Sequence, residues 1–269
     1  MVGHFNLSFT IANMSQGSKK ISVSFEFFPP KDPNAINSLW ANIKRLEPLD
    51  PTFISVTYGA GGSTRENTHN LVKEIKKKTN LKPAAHLTCI GSTQAEIEKI
   101  AEDYWEAGIR DIVALRGDKP KQKKPFSNDF RYATDLIALL KKKFDFNITV
   151  SAYPEMHPDS LSLEQEYDVL KKKIDLGACK AITQFFFESN FFIDFIDGAI
   201  KRGINIPIVP GILPVTNCKK TIEFAKKMNC NMPKSLLKMF EGLDSDPDTR
   251  KLVAATIVYD QCQTLISEG

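Results

Sequence analysis

Short apolar, β-branched runs alternate with amphipathic lysine- and glutamate-rich stretches along almost the whole chain, and this alternation restricts the fold more than any other feature. Seven runs read as strands, at 21–26, 53–57, 84–88, 111–116, 148–153, 181–185 and 206–210. The segments near 33–46, 64–79, 93–107, 129–143, 162–176 and 189–202 read as helices, and more helix is expected after Thr216. Strand–helix units recurring every roughly 26–37 residues call for a parallel sheet joined by crossover helices. Gly108, Gly177 and Gly203 each fall where a glycine would end a helix before the next strand. No proline- or serine-rich linker divides the chain, so residues 1–269 are expected to form one domain, with 1–20 as an extension and 21–269 as the barrel.

A doubly wound sheet and a closed barrel both satisfy the alternation. No Gly-x-Gly-x-x-Gly follows the first strand, so the dinucleotide-binding version lacks its main signal. Strand parity favours the barrel. Alternate residues face opposite sides, which puts Ser24 and Glu26, Ser55 and Thr57, His86 and Thr88, Ser151 and Tyr153, and Gln184 on the polar side near the ends of their strands. In a barrel these carboxyl ends converge on one mouth where the active site is built. Glu26 stands out, since it ends a strand among aromatics and is followed by Pro29-Pro30. Burial favours the protonated form of a carboxyl, which is the form a general acid needs.

With 269 residues, 42% hydrophobic and 25% charged, the chain has the composition of a globular protein with a sizeable core. A net charge of +4, with lysine runs at 76–78, 141–143 and 171–173 at or beside predicted helix ends, points to solvated faces and not to nucleic acid. No apolar stretch reaches the roughly 18–20 residues of a membrane span, and no secretory signal is legible. Five cysteines without Cys-x-x-Cys spacing fit free thiols in a reducing cytoplasm, and no metal site is expected.

The motifs SFEFFPPK (24–31), FISVTYGAGGSTRENT (53–68), AHLTCIGST (85–93), DIVALRGDKP (111–120), VSAYPEMHP (150–158), AITQFFF (181–187) and PGILPVTN (210–217) resemble, in order, those of bacterial-type methylenetetrahydrofolate reductases made of the catalytic domain alone. The resemblance implies an (α/β)8 TIM barrel and bound FAD. It also implies NADH or NADPH as reductant and reduction of 5,10-methylenetetrahydrofolate to 5-methyltetrahydrofolate. The expected setting is one-carbon metabolism and methionine biosynthesis in the cytoplasm, as a homo-oligomer. The rival readings are a flavin-independent pterin-binding one-carbon transferase and a decayed, non-catalytic folate binder. Retention of Glu26, Asp118 and Gln184 together argues against decay.

By the same resemblance Glu26 is the general acid that protonates folate N10, and Asp118 is the carboxylate near flavin and folate. FAD contacts transfer to Thr57, Tyr58, Ala60, His86, Arg116, Gly117, Asp118, Tyr132, Ala133, Tyr153, His157, Glu166 and Lys173. Substrate contacts transfer to Glu26, Thr57, Asp118, Gln184, Lys220 and Phe224, with Gln184 and Phe224 serving folate and nicotinamide in turn. Phe185, Phe186 and Phe187 are expected in the core. The chain departs from relatives at Val169, where some have asparagine, and at Lys220, where one has glutamine. Gly61-Gly62 reads as a tight turn and not as a phosphate loop.

The barrel implied by the resemblance needs an eighth strand and a final helix, and nothing after Asp246 reads as a β-run. The expected fold is therefore an (α/β)8 barrel lacking both, about 25 residues short of a full strand–helix unit. Strands one and seven would then carry unpaired backbone edges.

Overall fold

A computed structural model describes residues 6–10, 21–30, 32, 34–58, 65–118, 127 and 129–268. The described residues include eight strands: β1 (Asn6–Thr10), β2 (Ser22–Phe27), β3 (Ile54–Val56), β4 (Pro83–Thr88), β5 (Asp111–Leu115), β6 (Asn147–Ala152), β7 (Ala178–Phe185) and β8 (Ile208–Ile212). Helices α1 (Asn34–Leu46), α2 (Arg65–Lys78), α3 (Gln94–Glu106), α4 (Ala133–Lys143), α5 (Leu163–Asp175) and α6 (Ser189–Lys201) lie between successive strands from β2 onward. After β8 come α7 (Cys218–Lys227), α8 (Lys234–Lys238) and α9 (Pro247–Glu268). The seven strands β2–β8 follow one another in sequence order within the sheet. The fold is thus α/β, of the TIM-barrel type, without an eighth parallel strand among the described residues.

Chain signals place these elements. Thr93 caps α3 through a reciprocal box, its Oγ1 accepting from Glu96 N at 3.2 Å while Glu96 Oε2 accepts from Thr93 N at 2.7 Å. Asn217 Oδ1 accepts from Lys220 N at 3.0 Å and opens α7. Gly108, Gly177 and Gly203 follow α3, α5 and α6 with positive φ, as the sequence predicts.

By compactness the chain divides into two units, one comprising Ser22–Ser151 with Lys172–Ala181 and the other Ala152–Lys171 with Ile182–Gly269 and the β1 segment. In the first unit, register carries strand parity across the sheet. Val56 pairs with Ala85, Ala85 with Ile112 and Ile112 with Ile148, and all four are fully buried. Leu87, Ala114 and Val150 make the next such row. The alternate face carries Glu26 opposite Ser55, and His86 opposite Val113, which lies opposite Thr149. A one-residue slip would exchange the two faces, so the apolar rows lock the polar one in place.

The second unit contains a strand that sequence reading misses. β1 runs antiparallel to β8, with Leu7 opposite Ile212 and Ser8 opposite Gly211. The expectation of an unpaired edge at the seventh parallel strand is therefore corrected, because the N-terminal segment supplies backbone partners to β8. On the β7 side, Gly211 N donates to Thr183 Oγ1 at 2.9 Å, and a Cβ at Gly211 would lie 2.4 Å from the Thr183 carbonyl oxygen. Only glycine allows that approach. Phe185 and Phe186 are buried in two separate apolar clusters, one with Leu213 and Ala225 and one with Phe192, Ile212 and Leu265. Their expected core role holds.

Only alternate residues of an antiparallel pair exchange N–H···O bonds, so changing Leu7 and Ser8 together to proline removes the bonded donor whichever residue carries it. The double variant should lose about 1 kcal/mol or more and self-associate through the freed edge, as read by chemical denaturation and light scattering.

Candidate active site

Three neighbouring strands of the first unit bring Glu26, Ser55 and His86 together. Register sets Glu26 of β2 beside Ser55 of β3, and Ser55 Oγ donates to Glu26 Oε2 at 3.5 Å. His86 of β4 lies two residues beyond Ala84, the partner of Ser55, and so shares its face. His86 Nε2 is 3.2 Å from Glu26 Oε2, and the two side chains are 9% and 16% exposed. That distance fits an ion pair, yet the angles are not those of a hydrogen bond, which leaves Nε2 buried without a hydrogen-bond partner. Thr57 Oγ1 is likewise buried without one, while the Thr57 carbonyl accepts from Thr68 Oγ1 at 2.9 Å. Buried polar atoms are normally paired, so these two atoms point to a polar ligand at the ends of β3 and β4.

The loop after β5 is shaped by backbone. Gly117 has φ +87°, and a Cβ there would lie 2.9 Å from Thr88 Cβ. Arg116 is half-buried, its carbonyl accepting from Ile90 N at 2.9 Å, and Asp118 is exposed. Tyr132 is exposed and Ala133 buried at the start of α4, where Asp135 Oδ2 accepts from Tyr132 N at 2.9 Å. Among the lysine run, Lys171 and Lys172 are exposed, whereas Lys173 is 7% exposed and donates to the Ser151 carbonyl at 2.9 Å. Burial therefore separates Lys173 from its neighbours, which the sequence alone cannot do. Ala60 lies outside the described residues.

In the second unit Tyr153 and His157 meet edge to face, with centroids 4.8 Å apart. The buried Glu166 accepts from His157 N at 2.9 Å, and His157 Nδ1 accepts from Asp159 N at 3.0 Å. Gln184 is half-buried and its Oε1 accepts from Phe185 N at 3.0 Å. Phe224 is half-buried, its ring 5.1 Å from that of Phe185, and Lys220 is exposed.

Two features of the site regions escape sequence reading. One is a loop clamp, in which Glu155 Oε2 accepts from Asn231 N at 2.7 Å and Asn231 Nδ2 donates to Glu188. Burial, with Glu188 nearby, pushes the Glu155 carboxyl above the usual range, although the Asn231 N–H bond opposes the shift. The same burial and Glu155 push the Cys230 thiol up to about 12, so it is no nucleophile at neutral pH. The other feature is a contact of His69 with Tyr58 and Tyr104. Its only signal in the sequence is that His69 flanks the buried stripe Thr68, Leu71, Val72 and Ile75 of α2.

Comparison with known proteins follows from this geometry. The family profile "Methylenetetrahydrofolate reductase" matches residues 10–269. The 5,10-methylenetetrahydrofolate reductase of Pectobacterium carotovorum subsp. carotovorum is 49% identical, over 93% of this chain and 83% of its own. That of Escherichia coli K12 is 47% identical, over 96% and 86% respectively. Among solved structures, a Clostridium thermocellum protein described as binding two copies of 5-methyl-5,6,7,8-tetrahydrofolic acid aligns with a TM-score of 0.58. It covers 91% of this chain and 84% of its own, at 17% identity, a likeness of fold alone.

The clamp yields a pH prediction. A carboxyl raised in the folded state is destabilising once ionised. Its cost is absent below the unfolded-state value and grows as pH rises through the raised one. Glu155→Gln keeps an acceptor for Asn231 N and removes the charge. The melting temperature of the variant relative to the parent should therefore rise between about pH 4 and about pH 7, as followed by calorimetry.

Proposed function

The chain belongs to the methylenetetrahydrofolate reductase family, and from that premise we propose that it reduces 5,10-methylenetetrahydrofolate to 5-methyltetrahydrofolate with FAD and NADH or NADPH. The observation that carries this reading is the convergence of Glu26, Ser55 and His86 from three strands of a chain so similar to enzymes of that name. Within the first unit FAD would be held by Thr57, Tyr58, His86, Arg116, Gly117, Asp118, Tyr132, Ala133 and Lys173; Tyr153, His157 and Glu166 are the other flavin contacts that the resemblance implies. This fit is supported by the buried, unpaired Thr57 Oγ1 and His86 Nε2. Arg116 offers a fork and Lys173 a point charge, both suited to a pyrophosphate. Folate would be met by Gln184, whose amide both donates and accepts as a pterin edge requires, with Phe224, whose ring lies 5.1 Å from that of Phe185, and with Lys220 one turn before Phe224 on α7.

Glu26 gives its proton to N10 of the folate. The bond from N10 to the methylene carbon then breaks, its electron pair stays on N10, and the carbon is left double-bonded to a cationic N5. An amine leaves poorly unless protonated, so this transfer is the chemical role of the carboxyl. Asp118 places a negative charge that stabilises the cation. When bound, FAD supplies the hydride, taken from NADH or NADPH, that turns the cation into the methyl group. As part of the same reading, the protein works in the cytoplasm as a homo-oligomer.

Two substitutions test these roles. Glu26→Gln should keep FAD and its reduction by NADH or NADPH while losing roughly 10²–10⁴-fold in folate reduction. Equal losses in both half-reactions by stopped flow would make Glu26 structural. Asp118→Asn should raise the flavin midpoint potential, because an anion is removed beside the reduced ring, and should slow the folate half-reaction. A potentiometric titration with an unchanged or lower midpoint would refute that role.

A further inference from the structure

In the second unit, α7 ends in a rigid platform. Asn229 has φ +57°, the left-handed conformation that closes many helices and that asparagine tolerates best after glycine. Cys230 N donates to the Ala225 carbonyl at 2.9 Å and Asn229 N to that of Lys226 at 3.4 Å, the paired bonds of a Schellman turn. Cys230 then turns inward. Its Sγ donates to the Phe185 carbonyl at 3.1 Å, and the residue packs on the cluster of Phe185, Leu213 and Ala225. Asn229 and Asn231, on either side of this plug, are exposed.

Both asparagines reach the loop after β6, and that loop is strained. Met156 N donates to the Tyr153 carbonyl at 3.1 Å, closing a turn around Pro154 and Glu155, and Met156 itself has φ +67°. A long side chain in the left-handed region is costly, because its Cβ crowds the carbonyl oxygen. Such a residue persists only where its surroundings over-determine it. The end of α7 takes hold on both sides of Met156. Asn229 Nδ2 donates to the Glu155 carbonyl at 3.3 Å and lies 3.5 Å from that of Met156. Asn231 N donates to Glu155 Oε2 at 2.7 Å, and Asn231 Nδ2 donates to Glu188 at the start of α6. Glu155 Oε1 is buried without a hydrogen-bond partner, so the bond from Asn231 N is what anchors this carboxyl. Across the turn the Tyr153 and His157 rings meet edge to face, a contact that an opened turn would break.

We propose that Glu155, Asn229 and Asn231 are positioning residues for the flavin, holding the left-handed turn at Met156 that presents Tyr153 and His157 together. This rests on the reading of Tyr153 and His157 as flavin contacts given above. The three residues act through the shape of the loop, and α7 is the fixed body against which that shape is held.

Asn229→Gly tests the side-chain amide alone, since glycine is the preferred residue at this helix position and keeps the end of α7 intact. Hydrogen exchange of the purified protein should show the His157 amide opening about fivefold more often in this variant. Met156→Gly removes the strain, so adding Asn229→Gly to it should change that exchange by less than about twofold. Equal acceleration in both backgrounds, or none in the first, would overturn the proposal. FAD affinity, read by quenching of flavin fluorescence, should follow the same cycle, with losses of about fivefold and less than about twofold. Glu155→Ala should weaken FAD binding about fivefold, whereas Glu155→Gln, which keeps an acceptor for Asn231 N, should stay within about twofold of the parent. A faster-opening loop with unchanged FAD affinity would overturn the positioning role alone. A parent that binds no FAD would refute the reductase reading itself, and the proposal with it.

Discussion

Parallel register is the constraint on which the rest of the first unit depends. Each strand contributes buried apolar residues to one face, and the fully buried Val56, Ala85, Ile112 and Ile148 pair in one continuous row. Buried apolar side chains stabilise by roughly 1.5–3 kcal/mol each, so moving the row to the polar face would cost far more than any gain from re-pairing the polar side chains. Glu26, Ser55 and His86 are held together as a consequence of that preference. The site needs no dedicated scaffold, because its geometry follows from the same ladder that makes the core.

The polar face then shows where a ligand is needed. Most buried polar groups in the first unit find partners close by, such as Thr68 on the Thr57 carbonyl and Lys173 on the Ser151 carbonyl. Thr57 Oγ1, His86 Nε2 and Ser92 Oγ do not, and the first two sit where β3 and β4 end. Hydroxyl and imidazole groups held dry without a hydrogen bond are costly in a folded chain, and a polar cofactor is the natural remedy. Gly117, with φ +87° and Thr88 Cβ only 2.9 Å from where its own Cβ would lie, lets the loop after β5 pack closely on the end of β4.

In the second unit the core and the functional loops are built by different means. Phe185 and Phe186 point into separate apolar clusters from adjacent positions of one segment, as alternation along an extended chain requires. The loop after β6 is instead tied down by polar contacts. Asn229 Nδ2 donates to the carbonyl of Glu155 at 3.3 Å, and the Glu155 side chain accepts from Asn231. A clamp of this sort makes loop geometry depend on the charge of one half-buried carboxyl, which a purely apolar anchor would not.

Much of this was legible without coordinates. The period-two pattern around Glu26, Ser55 and His86 named one face, and the glycines at 108, 177 and 203 marked the helix ends, because both are local properties of the chain. Individual contacts depended on distance between remote segments. Lys173 could not be separated from Lys171 and Lys172 until burial distinguished them, and His69 looked like one more polar residue beside an apolar stripe. β1 was invisible because a five-residue strand at the edge of a sheet carries little pattern of its own, and only the free backbone of β8 gave it a partner. Sequence by itself determined which side chains share a face and where each element stops, since these follow from backbone periodicity and local caps. Only the tertiary structure decided which distant groups meet, which buried atoms stay unpaired and which edge is covered, since those depend on how separate elements pack.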